Sequence, residues 1–142
     1  MQLNNFGSIL SFAEELESKD EAFYNAALAK VDDSNLKSML EQNIADAKKN
    51  IKNIQRTRRE NVTEMILEGI SDFSAEAYSV EAGDPSGMSQ TELVDTAKKL
   101  EDRAERYYLD AAEKIKALSE VSRALKMIAK KRTAHKNKLA EL

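Results

Sequence analysis

The chain has 142 residues, 42% of them hydrophobic, with no Trp or Cys, four Gly and one Pro. That length suits one domain with a single core, and the absence of Cys removes disulfides, thiolate metal sites and thiol catalysis. The net charge of −3 conceals alternating blocks: residues 1–47 sum to −6, 48–59 to +6, 60–120 to −9 and 121–142 to +6.

Basic blocks can signal nucleic-acid binding, but here they lie within apolar-periodic segments and form no tail. They read as basic helices packed beside acidic ones, and no nucleic-acid partner is expected. With no run of 18 apolar residues and no signal-peptide pattern, a soluble, cytoplasmic protein without membrane contact is expected.

Apolar residues recur at three- and four-residue intervals in four segments. The first predicted helix runs from about Ser8 to Lys30. The second begins after the capping candidates Asp32-Asp33-Ser34 and reaches about Arg59. The third opens at Ser89, where Ser89 and Glu92 fit a capping box. The fourth follows a junction near Leu118-Ser119 and runs close to the C-terminus.

Residues 61–88 hold Gly69, Gly83, Pro85 and Gly87, and are too long for a structureless loop within a compact domain. Met65-Ile66-Leu67, Ile70 and Phe73 are expected to extend the second helix or to pack as a short extra one. The stretch from Met65 to Phe73 could cap one bundle end or form a homodimer interface. Two helical hairpins, 8–60 and 89–142, joined by a long crossover at 61–88, make an all-α four-helix bundle spanning 1–142.

An internal repeat agrees. Leu16-Glu17, Glu21, Phe23-Tyr24 and Ala27 return at Leu100-Glu101, Glu105, Tyr107-Tyr108 and Ala111, always 84 residues on. Two such hairpins would be related by a pseudo-two-fold axis.

Following each seam in 4–3 steps locates the chemistry. The first helix gives Leu10, Ala13, Glu17, Asp20, Tyr24, Ala27 and Val31. The second gives Leu36, Leu40, Asn43, Ala47, Asn50 and Ile54. The third gives Val94, Ala97, Glu101, Ala104, Tyr108, Ala111, Ile115 and Leu118. The fourth gives Val121, Leu125, Ile128, Arg132, His135, Leu139 and Leu142. Each seam is apolar at its ends and polar in the middle, so one layer of the interior is predicted to be polar. Burying a charge costs several kcal/mol unless it is paired or metal-bound. Glu17, Asp20, Glu101, Arg132 and His135 should therefore meet one another or an ion, with Asn50, Tyr24 and Tyr108 beside them.

With its Leu-Glu-x-x-x-Glu-x-aromatic-Tyr repeat, Leu36-Lys37-x-x-Leu40, Leu125 and the crossover segment Asn61-Val62-Thr63-Glu64-Met65-Ile66-Leu67-Glu68, the chain resembles the ferritin-like superfamily. The likeness is nearest to its rubrerythrin-like branch without a rubredoxin domain. The resemblance implies a ferritin-like bundle and a di-iron site built from a single Glu on each of two helices and Glu-x-x-His on each of the other two. Glu17 and Glu101 match the single Glu ligands. The second helix carries Ala47 and Asn50 at the Glu-x-x-His positions, and the fourth carries Arg132 and His135.

An Arg at a bridging-Glu position removes a ligand and adds a cation, while its five-donor fork can hold two carboxylates. Arg132 is therefore expected between Glu17 and Glu101, with Asp20 or His135 as further partners. No metal, cofactor or catalytic residue is expected, and a homodimeric structural or interaction module is the first expectation. The alternative is an iron-binding oxidoreductase or iron-handling protein using Glu17, Glu101 and His135.

Overall fold

The computed structural model describes residues 1–61 and 69–142. Its four long helices are α1 (Phe6–Leu28), α2 (Ser34–Glu60), α3 (Gln90–Lys114) and α4 (Ser119–Ala140). α1 pairs with α2 and α3 with α4; α2 then packs on α4 and α1 on α3. The result is an all-α four-helix bundle of the ferritin-like kind. Among the described residues no helix is long and apolar enough to cross a membrane.

Local chemistry sets the helix ends. α1 begins two residues earlier than its apolar spacing suggests, because Asn5 and Ser8 form a reciprocal capping box, with Ser8 N donating to Asn5 Oδ1 at 2.8 Å. α2 is capped by Asp33, whose Oδ2 accepts from Leu36 N at 2.8 Å. α3 opens on the Ser89–Glu92 capping box. These side chains satisfy amides that lack partners in a first helical turn. The α3–α4 junction has no Gly or Pro and no side-chain cap on α4. Ser122 instead donates its hydroxyl to Ala112 O at 2.9 Å, and Ile115 is buried within the turn.

Between α2 and α3, the described residues form two short 3-10 helices, Ala75–Tyr78 and Pro85–Gly87. The chain's first residues lie against this segment: Leu3 N donates to Phe73 O at 2.8 Å and Ile70 N to Asn4 O at 2.9 Å. Phe73 and Tyr78 pack on Tyr107 and close that end of the bundle. Ile70 and Phe73 pack with the core, but both lie in non-helical chain before the Ala75–Tyr78 turn and not in the extended or extra helix expected for them. The expected helical stretch around Met65-Ile66-Leu67 lies outside the described residues.

The core has two apolar ends. One gathers the first half of α1 with the second half of α3 and the first half of α4; the other gathers the second half of α1 with the first halves of α2 and α3. Nearly all predicted seam positions are buried. Leu142 is the clear exception at 49% exposed, because α4 ends at Ala140 and Leu142 lies beyond the helix. On α3, Leu93 takes the fully buried place while Val94 is half-buried. Between the two apolar ends lies a polar layer.

Candidate functional site

All four helices contribute to that layer. α1 supplies Glu17, Asp20 and Tyr24, α2 supplies Asn50, α3 supplies Glu101 and Tyr108, and α4 supplies Arg132 and His135; all are buried. Each occupies the inward stripe of its helix, and residues three or four apart on one stripe stack along the bundle axis. The sequence pattern alone thus forces charge into the interior, and the other helices must answer it.

Arg132 sits at the centre. Its Nη1 donates to Glu101 Oε2 at 2.9 Å, and its Nη2 donates to Glu17 Oε2 at 2.9 Å and Asp20 Oδ2 at 2.8 Å. Nε adds a longer bond of 3.3 Å to Glu17 Oε2. One planar fork therefore ties α1, α3 and α4 together, a geometry suited to guanidinium and not to a lysine ammonium.

The carboxylates take further donors. Tyr24 donates to Glu101 Oε1 at 2.7 Å and Tyr108 to Glu17 Oε2 at 2.6 Å. Asn50 Nδ2 donates to Glu17 Oε1 at 3.1 Å. His135 bridges two acids, with Nδ1 3.3 Å from Glu101 Oε1 and Nε2 2.7 Å from Asp46 Oδ2.

Two members of the network fall outside the predicted cluster. Arg103, buried on α3, donates from Nη2 to Asp20 Oδ1 at 2.6 Å. Asp46 on α2 reaches His135 from a partly exposed position. Both lie beside a seam and not on it, so stepping along apolar positions passes over them. Their signal in the sequence is only that Arg103 sits within the repeat and that Asp46 precedes the seam residue Ala47.

Proton affinities follow from this packing. Burial pushes the Asp20 carboxyl up to about 6, against the opposing pull of Arg132 and Arg103, with Glu17 and Glu101 adding to the rise. Burial acts in the same direction on Glu101, but Arg132, His135 and the Tyr24 hydroxyl outweigh it and hold that carboxyl below its ordinary value. Burial works against the imidazolium of His135, yet its bonds to Glu101 and Asp46 raise its pKa. Burial and the neighbouring carboxylates push the Tyr24 and Tyr108 hydroxyls well up, so both stay protonated donors.

A family model for the ferritin-like domain matches residues 7–142. The chain belongs to the ferritin-like domain family. Comparisons with curated proteins and with solved structures match nothing.

Ferritin-like bundles can hold two metal ions in their middle, on four Glu and two His. In this ferritin-like chain the corresponding layer does not fit that group. Ala47 has no donor atom, Asn50 is engaged with Glu17, and the guanidinium of Arg132 fills the space between Glu17, Asp20 and Glu101. Among the described residues no set of three or more His, Asp or Glu side chains is arranged to hold a metal ion. Chemically the layer can hold charge, keep protons at defined atoms and lock four helices in register.

Proposed function

We propose that this chain is a rubrerythrin-like member of the family whose di-metal site is degenerate, and that it serves as a non-enzymatic structural or interaction module. The observation that carries this reading is the contact of the Arg132 guanidinium with Glu17, Asp20 and Glu101 at once. Like charges about 4 Å apart repel by on the order of 4 kcal/mol per unit of charge at an effective dielectric of about 20. A divalent ion entering beside Arg132 would meet twice that, and would also have to take carboxylates that the arginine already holds. The arginine supplies from within the chain the positive charge that a metal would bring.

Metal content of freshly purified protein, together with its visible spectrum after ferrous iron and oxygen, tests the reading. The expected result is a colourless protein without stoichiometric iron. Iron near two per chain with an oxo-to-metal absorption would replace this reading with an iron oxidoreductase using Glu17, Glu101 and His135. Restoring the ligands in an Ala47→Glu/Asn50→His/Arg132→Glu variant should create iron binding that the parent lacks. If that variant binds none, the assignment of ligand positions is wrong.

We also propose that the protein is a cytoplasmic homodimer; Leu109 and Met127 are exposed apolar side chains on α3 and α4. Light scattering of the purified chain decides between dimer and monomer.

A further inference from the structure

The acidic helices answer only part of the basic charge on α2 and α4. Lys48 and Arg58 reach Glu21 and Glu14 on α1, at 4.0 and 2.6 Å. Lys136 reaches Asp102 and Glu105 on α3, at 3.3 and 2.9 Å. These pairs lie at the two flanks. Lys49, Lys52 and Arg56 on α2 and Arg123 and Lys130 on α4 are exposed, with Lys131 half-buried beside them. None of these six has an ion-pair partner among the described residues.

The six share one side of the bundle. The start of α2 lies beside the end of α4, and the 2.7 Å contact of Asp46 with His135 fixes their antiparallel register. Lys49, Lys52 and Arg56 follow the stripe of α2 opposite its inward residues Asn50 and Ile54. Neither helix carries an acid from Ala47 to Arg59 or from Val121 to Ala140. Six cations thus stand within about 12 Å of helix length, at 1.5 Å per residue.

On the opposite side, bases are spent on the crossover. Arg103 and Arg106 of α3 donate to Tyr78 O and Ala77 O at 3.4 and 3.2 Å, and Lys114 to Ser71 O at 2.9 Å. Lys30, just beyond α1, donates to Ser86 O at 3.0 Å. That segment brings Asp72, Glu76, Glu81 and Asp84 with it. A helix diameter of about 10 Å or more separates those acids from the basic face, beyond the Debye length of about 8 Å at physiological salt. The net charge of −3 therefore does not cancel the local field.

Composition selects the partner. Protein interfaces are depleted in Lys and enriched in aromatic residues, and this face has four Lys and two Arg with no aromatic ring. Single strands are held by bases stacked on aromatic side chains, which are missing here. Membrane surfaces are held by an apolar face beside the basic one, and Met127 is the one large apolar side chain exposed on these two stretches. A duplex needs only closely spaced cations, because its phosphates follow one another about every 1.7 Å along the axis.

We propose that the α2–α4 face binds the phosphate backbone of a nucleic-acid duplex without reading its sequence. Phosphate contacts position a protein on a duplex and carry no base information. The face is separate from the buried layer around Arg132 and does not depend on the metal question.

Fluorescence anisotropy of a short labelled DNA duplex, titrated with the full chain, tests the proposal. An RNA duplex of equal length is the second probe, and the tighter of the two identifies the source of the backbone. The preferred duplex should bind equally in two unrelated sequences. Its affinity should fall about a thousandfold between about 50 and 200 mM salt, as for neutralisation of about six phosphates. Single strands should bind severalfold more weakly. Polyglutamate, and vesicles of phosphatidylserine and phosphatidylcholine in equal parts, should bind at least tenfold more weakly. Lys49→Glu/Arg56→Glu and Arg123→Glu/Lys130→Glu should each weaken the duplex at least tenfold and reduce the salt slope by about 2. Lys98→Glu/Lys99→Glu on α3 changes net charge equally and should leave affinity within about threefold. All substituted variants are first checked for native helical content, and either reversal on the α2–α4 face decides the matter alone. Absence of saturable duplex binding at low salt overturns the proposal. So does binding of polyglutamate or vesicles as tight as that of the duplex, or an equal loss in the α3 control.

Discussion

Tyr24 on α1 donates its hydroxyl to Glu101 on α3 at 2.7 Å, and Tyr108 on α3 returns the bond to Glu17 on α1 at 2.6 Å. Each tyrosine lies seven residues beyond a repeated Glu, and each serves the Glu of the other copy. The sequence repeat is thus a reciprocal brace between the two hairpins, with Arg132 gripping both carboxylates between them. A hydrogen bond to a buried carboxylate contributes about 1.5–3 kcal/mol. Tyr24→Phe and Tyr108→Phe should each lower the free energy of urea unfolding by that much. Because both act on carboxylates shared by Arg132, the double variant should depart from additivity. A cost below about 0.5 kcal/mol for either single change, far under this range, would remove the brace from the account of stability.

Arg132→Met should be the most damaging single change in the layer. It leaves Glu17, Asp20 and Glu101 buried without their common cation. Breaking a buried ion cluster by removing one partner typically costs about 3–5 kcal/mol. Chemical denaturation measures it, and a loss under about 1 kcal/mol, the level of a surface ion pair, would mean that the carboxylates find other partners.

His135 supplies an alkaline limit to stability. Its folded pKa is raised, so the native state binds the proton more tightly than the unfolded chain. Its contribution is full below the unfolded value near 6.5 and is lost as pH rises through the folded value. It is the only His in the chain. Urea midpoints should therefore fall from pH 6 towards pH 9 in the parent, and the fall should flatten in His135→Gln. Parallel profiles for the two proteins would show that the imidazolium plays no such part.

Asp20 and Glu101 titrate with opposite consequences. Glu101, held low, favours folding above its unfolded value near 4.5, and that contribution is lost as pH falls through its folded value. Asp20, pushed up to about 6, favours folding at pH below its ordinary value of 3.8 and loses that contribution as pH rises to about 6. Carbon NMR of the side-chain carboxyl should place the Asp20 midpoint near 6. Arg103→Met, which removes one of its two cationic partners, should move that midpoint higher. A midpoint unmoved by the substitution would show that Arg103 does not stabilise the charged form.

Spacing in the chain was enough to place Glu17, Asp20, Tyr24, Asn50, Glu101, Tyr108, Arg132 and His135 on inward stripes, because the helical period determines where each Cβ points. It was also enough to locate Ser89 and the stretch Asp32-Asp33-Ser34 as helix starts, since capping needs only a short polar side chain beside an apolar-periodic run; which of the three caps α2 was decided by the structure. Which side chains touch was a different matter. That Tyr24 serves Glu101 and not the nearer Glu17, that Arg103 crosses to Asp20, and that Asp46 reaches His135 depend on which helices are neighbours and on how far long side chains extend from beside a seam. Local periodicity carries no such information. The unpartnered amide of Asn43 is a tertiary fact as well: an inward amide is visible in the sequence, but only the packing of α2 against α4 leaves its donor without an acceptor. The sequence by itself determined that charge would lie inside this bundle; the tertiary structure decided that an arginine fork, set among three carboxylates, would balance most of it.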